Sequence, residues 1–550
     1  MTATTSNRSY DVAILGGGHN GLVAAAYLAR AGLSVVVLEK NGQVGGAAMT
    51  EEFHPGFRNS VAAYTVSLLN PNVIRDLDLA RHGLRVIERP AANFWPVDAK
   101  RGLLMPYGLG PRQQAIAVFS KRDAERLPAY DAALDRAAGV LRDLVLETPP
   151  NAGGGIVELI RAGRIGRRMA RLSLDDQRLL LDLFTKSASD FLDQWFESDV
   201  VKGAFAFDGI VGAYASPRTP GTAYVLLHHC FGEVNGKPGV WGHAVGGMGA
   251  ITQAMAASAR AAGAEIRTNT AVAMLRADDR KITGVVLASG EEVRARAVAS
   301  NIGPKLLFRA YVPEHLVGDE ERRRFTGIKT GSGTFRMNVA LAELPDFTCR
   351  PGRALAPHHG SGIVIGPTVD YLERAHLDAR RDGWSAEPVV EMLIPSTIDD
   401  TLAPAGQHVA SLFVQHVAPR LPAGRSWADE REKEAFADVV IDTVTRHAPN
   451  FRASVISRQV LSPLDLEDRF GLVDGDIFHG QLSLDQLWAA RPVLGHADYR
   501  TGVPGLYLCG SGAHPGGGVT GLPGRNAARE ILRDLGGGFG DVVRRWMPWR

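Results

Sequence analysis

The sequence predicts an α/β protein with a discontinuous dinucleotide-binding domain, interrupted by two long insertions that build a second, mixed α+β domain. Three observations predict it. A strand, a glycine turn and a helix follow one another at the N-terminus, and segments of similar pattern return near residues 240–300 and 505–535. With 550 residues, the chain is long enough for several large cores at about 100–200 residues per domain. Its 61 Lys and Arg stand against 59 Asp and Glu, a balance that excludes nucleic acid as the main partner, since phosphate binding needs a net basic face.

The first element is the aliphatic strand Tyr10–Leu15, followed at once by Gly16, Gly18 and Gly21 at G-x-G-x-x-G spacing and by the helix Leu22–Arg30. The first glycine allows the tight turn, the second lets a pyrophosphate approach the backbone, and the third lets helix and strand touch. The helix N-terminus supplies N–H donors for the phosphates. A second strand, Leu33–Leu38, ends in Glu39, placed to accept hydrogen bonds from an adenosine ribose. These flanks give context to a motif that is weak by itself.

The next segment, Asn41–Thr50, carries Gly45-Gly46-Ala47. In FAD proteins of the glutathione-reductase type a Gly-Gly segment here passes close to the diphosphate, so a glutathione-reductase-type FAD-binding Rossmann domain is expected. No second G-x-G-x-x-G occurs; Gly153–Gly155 and Gly246–Gly249 lack the spacing and the preceding strand, so a separate NAD(P)H domain is not expected.

The middle segment predicts a helix over Ala250–Ala262, Gly263 as its C-terminal stop, a strand over Glu265–Val272, and hairpin strands around Ile282–Leu287 and Val293–Ala299. Near the C-terminus, Gly505–Gly510 reads as a buried strand. It opens into a glycine run and the helix Asn526–Leu535, a second backbone donor cradle.

These segments resemble the phytoene-desaturase-like branch of the FAD-dependent amine oxidase and carotenoid desaturase superfamily, and within it the phytoene-dehydrogenase-like proteins named for a pyridine nucleotide-disulphide oxidoreductase domain. The resemblance rests on Gly16–Gly21, Gly45–Pro55, Gly246–Val272, Asp468–Gly480 and Gly505–Ala528, and so spans nearly the whole chain. Carotene desaturases commonly show Gly-Gly-Arg where this chain has Gly46-Ala47-Ala48, which favours the sister group over a carotenoid substrate. The resemblance implies FAD contacts at Gly16, Gly18, Gly21, Glu39, Gly45, Gly46, Ala47, Val272, Gly510, Ser511, Val519, Thr520 and Gly521, with Val272 at the adenine. The implied domains are FAD-binding parts at 1–100, 236–304 and 491–550, a helical substrate segment at 101–235, and a mixed-sheet substrate segment at 305–490.

Within the insertions, apolar recurrence predicts helices over Gln114–Glu147, Leu174–Glu197 and Glu430–His447, and alternation predicts strands over Phe335–Leu341 and His408–Gln415. Arg161, Arg164, Arg168 and Arg171 fall on one helical face, with Ile160, Ile165, Met169 and Leu172 interleaved. That pattern suits a membrane-surface contact or a solvated face with snorkelling arginines. The tail Arg544–Arg550 could add an interfacial anchor.

Three isolated cysteines argue against a disulfide scaffold or thiol relay. The adjacent pairs His228-His229 and His358-His359 do not suit one ion, so no metal site is expected, and no G-x-S-x-G elbow occurs. With no apolar leader at Met1–Ser9, the expected location is cytoplasmic, with membrane association left open.

By analogy with the lysine of amine oxidases, Arg336 is the candidate near flavin N5, acting electrostatically because an arginine is no base at neutral pH. His514 lies between the last strand and the glycine run, and the resemblance places His479 in the substrate half; both are expected to line the approach to the flavin and handle a proton. The implied function is FAD-dependent removal of hydride from a carbon of a lipophilic small molecule, with oxygen or a quinone as acceptor. A flavin amine oxidase is the alternative, though Trp241, Tyr214 and Phe478 are too scattered in sequence to define an aromatic cage. A FAD-binding interaction or assembly protein is a second alternative. Homo-oligomerisation is compatible with each.

Overall fold

The computed structural model describes residues 9–536. Its first sheet has seven strands. Glu265–Arg267, Val35–Leu38, Ser9–Leu15 and Glu292–Ser300 run parallel, side by side, and Ile282–Leu287 and Val272–Ala277 continue antiparallel. Leu506–Leu508 pairs in parallel with Val298–Ser300, bringing the C-terminal segment into the same sheet. Val12 to Leu15 and Val35 to Leu38 are buried, as parallel strands covered on both faces must be. The helix His19–Arg30 packs between Met248–Ala261 and Leu522–Leu535, so each of the three segments contributes a strand and a helix to one core. A Cβ on Gly21 would sit 2.4 Å from the Gly16 carbonyl oxygen, so only glycine lets this helix lie on its strand.

Two expectations for this domain need correction. The strand expected over Glu265–Val272 is broken: Asn269, in the left-handed region at φ 51°, and Thr270 donate their N–H groups to the Asn41 and Glu39 carbonyls, and pairing resumes at Val272. The last helix begins at Leu522, four residues before Asn526, because Gly521 caps it in the left-handed conformation and Pro523 suits its first turn.

The second sheet runs Val455–Leu461, Phe335–Leu341, His408–Val417, Trp384–Leu393, Gly362–Ile365, Asn93–Pro96, Gly102–Met105. Asn93–Pro96 thus pairs within this second sheet, although it precedes the boundary expected at residue 100. The strand Phe335–Leu341 and the helix Glu430–His447 have the limits expected. Strand alternation divides the sheet: Phe335, Met337, Val339, Val390, Met392, Leu412 and Val414 join Phe436, Val440 and Val444 of the covering helix in one core. Arg336, Phe413 and Glu391, paired in one row across three strands, project from the opposite face toward the first domain.

The helical insertion is cut more finely than expected. Ser120 caps Lys121–Leu144 by accepting from the Asp123 N–H, and Ser187 caps Ala188–Asp193 by accepting from Asp190, so each long predicted helix is two. In Ile156–Ala170 the arginines do not form one face: Arg161 pairs with Glu158, Arg168 pairs with Asp143, and both turn inward with Ile165 and Met169. The tail Arg544–Arg550 lies outside the described residues. Among the described residues no helix is long and apolar enough to cross a membrane, and no cluster of three His, Cys, Asp or Glu could hold a metal.

Candidate functional site

One cavity runs from the glycine cradle of the first domain to the second sheet. Gly16, Gly18, Glu39, Gly45, Gly46, Ala47, Val272, Ser511 and Val519 all line it. Gly18 caps the first helix without a side-chain hydrogen bond, leaving the first-turn N–H groups for a ligand. Gly45 folds back onto the cradle, its N–H donating to the Gly17 carbonyl at 2.9 Å. A Cβ on Gly18 would stand 2.6 Å from Asn301 Nδ2, and Gly45, at φ 131°, would meet Thr252 Oγ1 at 2.9 Å. Glu39 accepts from the Gly17 N–H at 2.8 Å and the Asn41 N–H at 2.9 Å, which fixes the carboxylate at the cavity edge.

Four predicted contacts stand behind the cavity wall. Gly21 and Gly510 permit close packing, the latter against the Asn301 backbone. Thr520 Oγ1 accepts from the Leu522 N–H at 3.1 Å, and Gly521 caps the last helix, so both shape the N-terminus that follows Val519. Asn20 Nδ2 donates to Ser511 Oγ at 3.0 Å and ties the two cradles together. Sequence reasoning missed Asn20, His19 and Asn301 as site residues; the glycine motif could have offered the first two, whereas Asn301 closes over Gly18 from a distant strand. An uncapped helix start, an acid at the strand end and an exposed glycine backbone fit the ribose and diphosphate of FAD. His19 Nε2 and Asn20 Oδ1, buried without protein partners, add polar groups beside it.

The catalytic candidates separate. His479 lines the cavity; burial, with His19 and Arg491 nearby, holds it neutral, pulled down to about 4. His514 does not line it. Its ring stands edge-on to Trp488 at 4.8 Å, with Nε2 3.4 Å from the Leu144 carbonyl, and burial lowers it to about 3. The glycine run after His514, not the histidine, borders the cavity: Tyr499 Oη donates to the His514 carbonyl, and the imidazole is directed to the Leu144 carbonyl of the helical insertion. Arg336 is buried and likewise not in the lining; its guanidinium lies over the Tyr64 ring at 4.5 Å and donates to Ser411 Oγ at 2.7 Å. Burial lowers it to about 10, which still leaves it charged at neutral pH.

The far wall was not foreseen. Tyr64, which lines the cavity, donates to Glu391. Arg89 and Arg336 lie close enough to stabilise that carboxylate against the burial that raises its pKa. Asp208 also lines the cavity, and no hydrogen bond to its carboxylate is found among the described residues; burial, then the charge of Glu391, raises it to about 7. Ala63, Val66, Leu68, Phe207, Val211, Phe413 and Ile477 supply apolar lining. Trp241 and Phe478 reach the same cavity, whereas Tyr214 packs elsewhere, against His376 and His416.

Two buried ties hold the walls in place. Arg491 donates to the carbonyls of Phe478, Gly480, Gln486 and Ser511, fastening the His479 loop to the flavin-domain turn. Asp399 accepts from His243 at 2.7 Å and from the Gly246 N–H at 2.7 Å; against its burial, these bonds hold it well below the usual carboxylate range and join the second sheet to the middle segment.

Residues 21–334 match the family model of flavin containing amine oxidoreductases. The chain is 42% identical over 545 residues to pyridine nucleotide-disulfide oxidoreductase domain-containing protein 2 of Rattus norvegicus, covering 96% of this chain and 94% of that protein. It is 25% identical over 532 residues to a lycopene-forming phytoene desaturase of Pantoea ananas, covering 95% and 99%. In fold it is similar to a solved oxidoreductase from Methanosarcina mazei, with 16% identity and a TM-score of 0.58 over 96% of this chain and 100% of that one.

Proposed function

We infer the activity from the family: the chain belongs to the flavin-containing amine oxidoreductases, and its cofactor is FAD. The reading is a phytoene-dehydrogenase-like enzyme that removes hydride from a carbon of a small molecule with a lipophilic body and one polar end. The observation that carries it is one continuous cavity, lined mostly by apolar surface, running from the cradle to Tyr64, Asp208 and Glu391.

Bound FAD supplies the hydride acceptor. The cradle glycines, Glu39 and Val272 hold its nucleotide end, and Ser511 and Val519 border its flavin end. Ala63, Val66, Phe413 and Phe478 exclude water from the reacting carbon and orient an apolar chain. Glu391 and Tyr64 bind the polar end. The proton lost with the hydride goes to a cavity group: Asp208, unpartnered and about 7, suits that task at neutral pH better than His479, which is the weaker base, or His514, which lies outside the cavity. Arg336 acts electrostatically through Tyr64 and Glu391. The acceptor of the electrons is oxygen or a quinone, and a quinone or lipophilic substrate makes peripheral contact with a membrane part of the reading.

Amine oxidation is the second reading. It is favoured by two carboxyl groups, Asp208 and Glu391, in one cavity with the rings of Trp241 and Tyr64, which would together suit a cationic nitrogen. Anaerobic flavin reduction by isoprenoid, fatty and amine compounds tests both. Bleaching by the first two classes supports dehydrogenation, bleaching by amines alone supports the second reading, and a flavin that none reduces speaks against both.

A further inference from the structure

No residue of the helix Ile156–Ala170 is buried. Its outward side is divided along the axis rather than around it. Ile156, Val157, Leu159 and Ile160 of the first turns are 74%, 58%, 72% and 52% exposed. In the later turns Arg164, Arg167 and Arg171 are exposed and make no ion pair among the described residues. At about 100° per residue, Ile156, Ile160, Arg164, Arg167 and Arg171 share one side. The inward side is satisfied by Ile165, Met169 and the paired Arg161 and Arg168.

The approach to the helix continues the pattern. Thr148 to Val157 contains no charged residue, and 152–157 are exposed. The adjoining helix adds Leu174 and Leu181, 61% and 62% exposed. A cluster of large aliphatic side chains in water is unfavourable, and such patches mark interaction surfaces.

We propose that this end of the molecule docks on an anionic lipid surface. Ile156, Val157, Leu159 and Ile160 enter the boundary between headgroups and acyl chains, and Arg164, Arg167 and Arg171 meet lipid phosphates. This gives residues to the membrane contact of the function above and rests on that reading for its purpose. The charge pattern selects the occupant. A symmetric contact with a second copy would set this patch against itself and bury the unpaired arginines against residues that include no carboxylate to meet them. A soluble anion would leave the aliphatic turns wet. An anionic bilayer satisfies both halves at once.

Cosedimentation of the full-length holoprotein with vesicles of phosphatidylcholine alone, and with added phosphatidylglycerol, tests the proposal. The wild type is expected to sediment with the anionic vesicles only. Replacing Arg164, Arg167 and Arg171 together with Gln should weaken binding by about a hundredfold, at about fivefold per lost charge. Ile156→Ser with Leu159→Ser and Ile160→Ser should weaken it at least about tenfold. All substitutions are at exposed positions, so FAD content should stay at the wild-type level and report correct folding. The proposal is overturned if the wild type stays in the supernatant, if both triple variants sediment like the wild type, or if light scattering shows a dimer that the variants dissociate while no form binds vesicles. The assay needs no substrate, so its failure leaves the dehydrogenase reading standing, and an inert substrate panel leaves the docking surface standing.

Discussion

At the cradle, recognition is done by backbone: Gly16 and Gly18 face the cavity from one strand–helix–strand unit, Gly45 joins them from the turn that follows, and Glu39 stands directly after the second strand. At the far wall it is done by side chains. Tyr64, Arg89, Asp208, Arg336 and Glu391 come from widely separated segments and meet because three strands of the second sheet align Arg336, Phe413 and Glu391 in one row. A constant ligand such as FAD can be held by peptide groups, which vary little with side-chain identity. A particular substrate must be read by side chains, and the sheet supplies them at alternate positions without disturbing the core beneath.

The largest effect should come from closing the backbone cradle. Gly18→Val places side-chain atoms where Asn301 Nδ2 and the ligand approach, so bound FAD, measured by absorbance and by flavin released on denaturation, should fall at least about tenfold. Full occupancy in this variant would break the contrast at its stronger side.

Glu391→Gln probes the side-chain wall. It leaves Arg89 and Arg336 buried without their shared carboxylate and should cost about 3 kcal/mol of stability in urea titration. FAD affinity should change little in the folded protein. Adding Arg336→Met should restore part of the loss, because the uncompensated charge is then removed. A strictly additive double variant would show that the row is not coupled.

Asp208 gives the wall a pH dependence. Its folded pKa, about 7, lies above the ordinary 3.8, so the folded state holds its proton more tightly and loses relative stability as pH rises through that window. Above about pH 7 the wild type should be less stable than Asp208→Asn, relative to the same comparison near pH 4, by about 3–4 kcal/mol, for a shift of about three pKa units. Melting temperatures of both proteins across this range measure it. Parallel curves would remove Asp208 from consideration as the titrating group.

The smallest effect is expected at His514. Because it lies outside the cavity and is neutral, His514→Gln should leave the flavin midpoint potential within about 10 mV of wild type, less than half a kcal/mol for a two-electron couple. His479→Gln should shift it further, since that ring borders the cavity. A larger shift at His514 would restore it as a flavin neighbour.

By itself the sequence determined the N-terminal strand, glycine turn, helix and second strand of the first domain, because their signals are local: an aliphatic run, glycines at fixed spacing, an acid at the strand end, and a Gly-Gly turn soon after it. It also determined that Phe335–Leu341 is a strand, through alternation. Only the tertiary structure decided what that alternation serves. Arg336 could be read as one basic residue on a strand, but its neighbours Tyr64, Phe413 and Glu391 are set by sheet register and by a loop from the other domain, and no local pattern encodes either. His514 shows the converse: its place beside a glycine run pointed to the flavin, yet the direction of its ring is fixed by Trp488, Tyr499 and the Leu144 carbonyl. The arginines of Ile156–Ala170 were legible as helical, but which of them face inward depended on Glu158 and Asp143. Backbone sites depend on short-range spacing and can be read from the chain, whereas side-chain sites depend on long-range packing and exist only once the chain has folded.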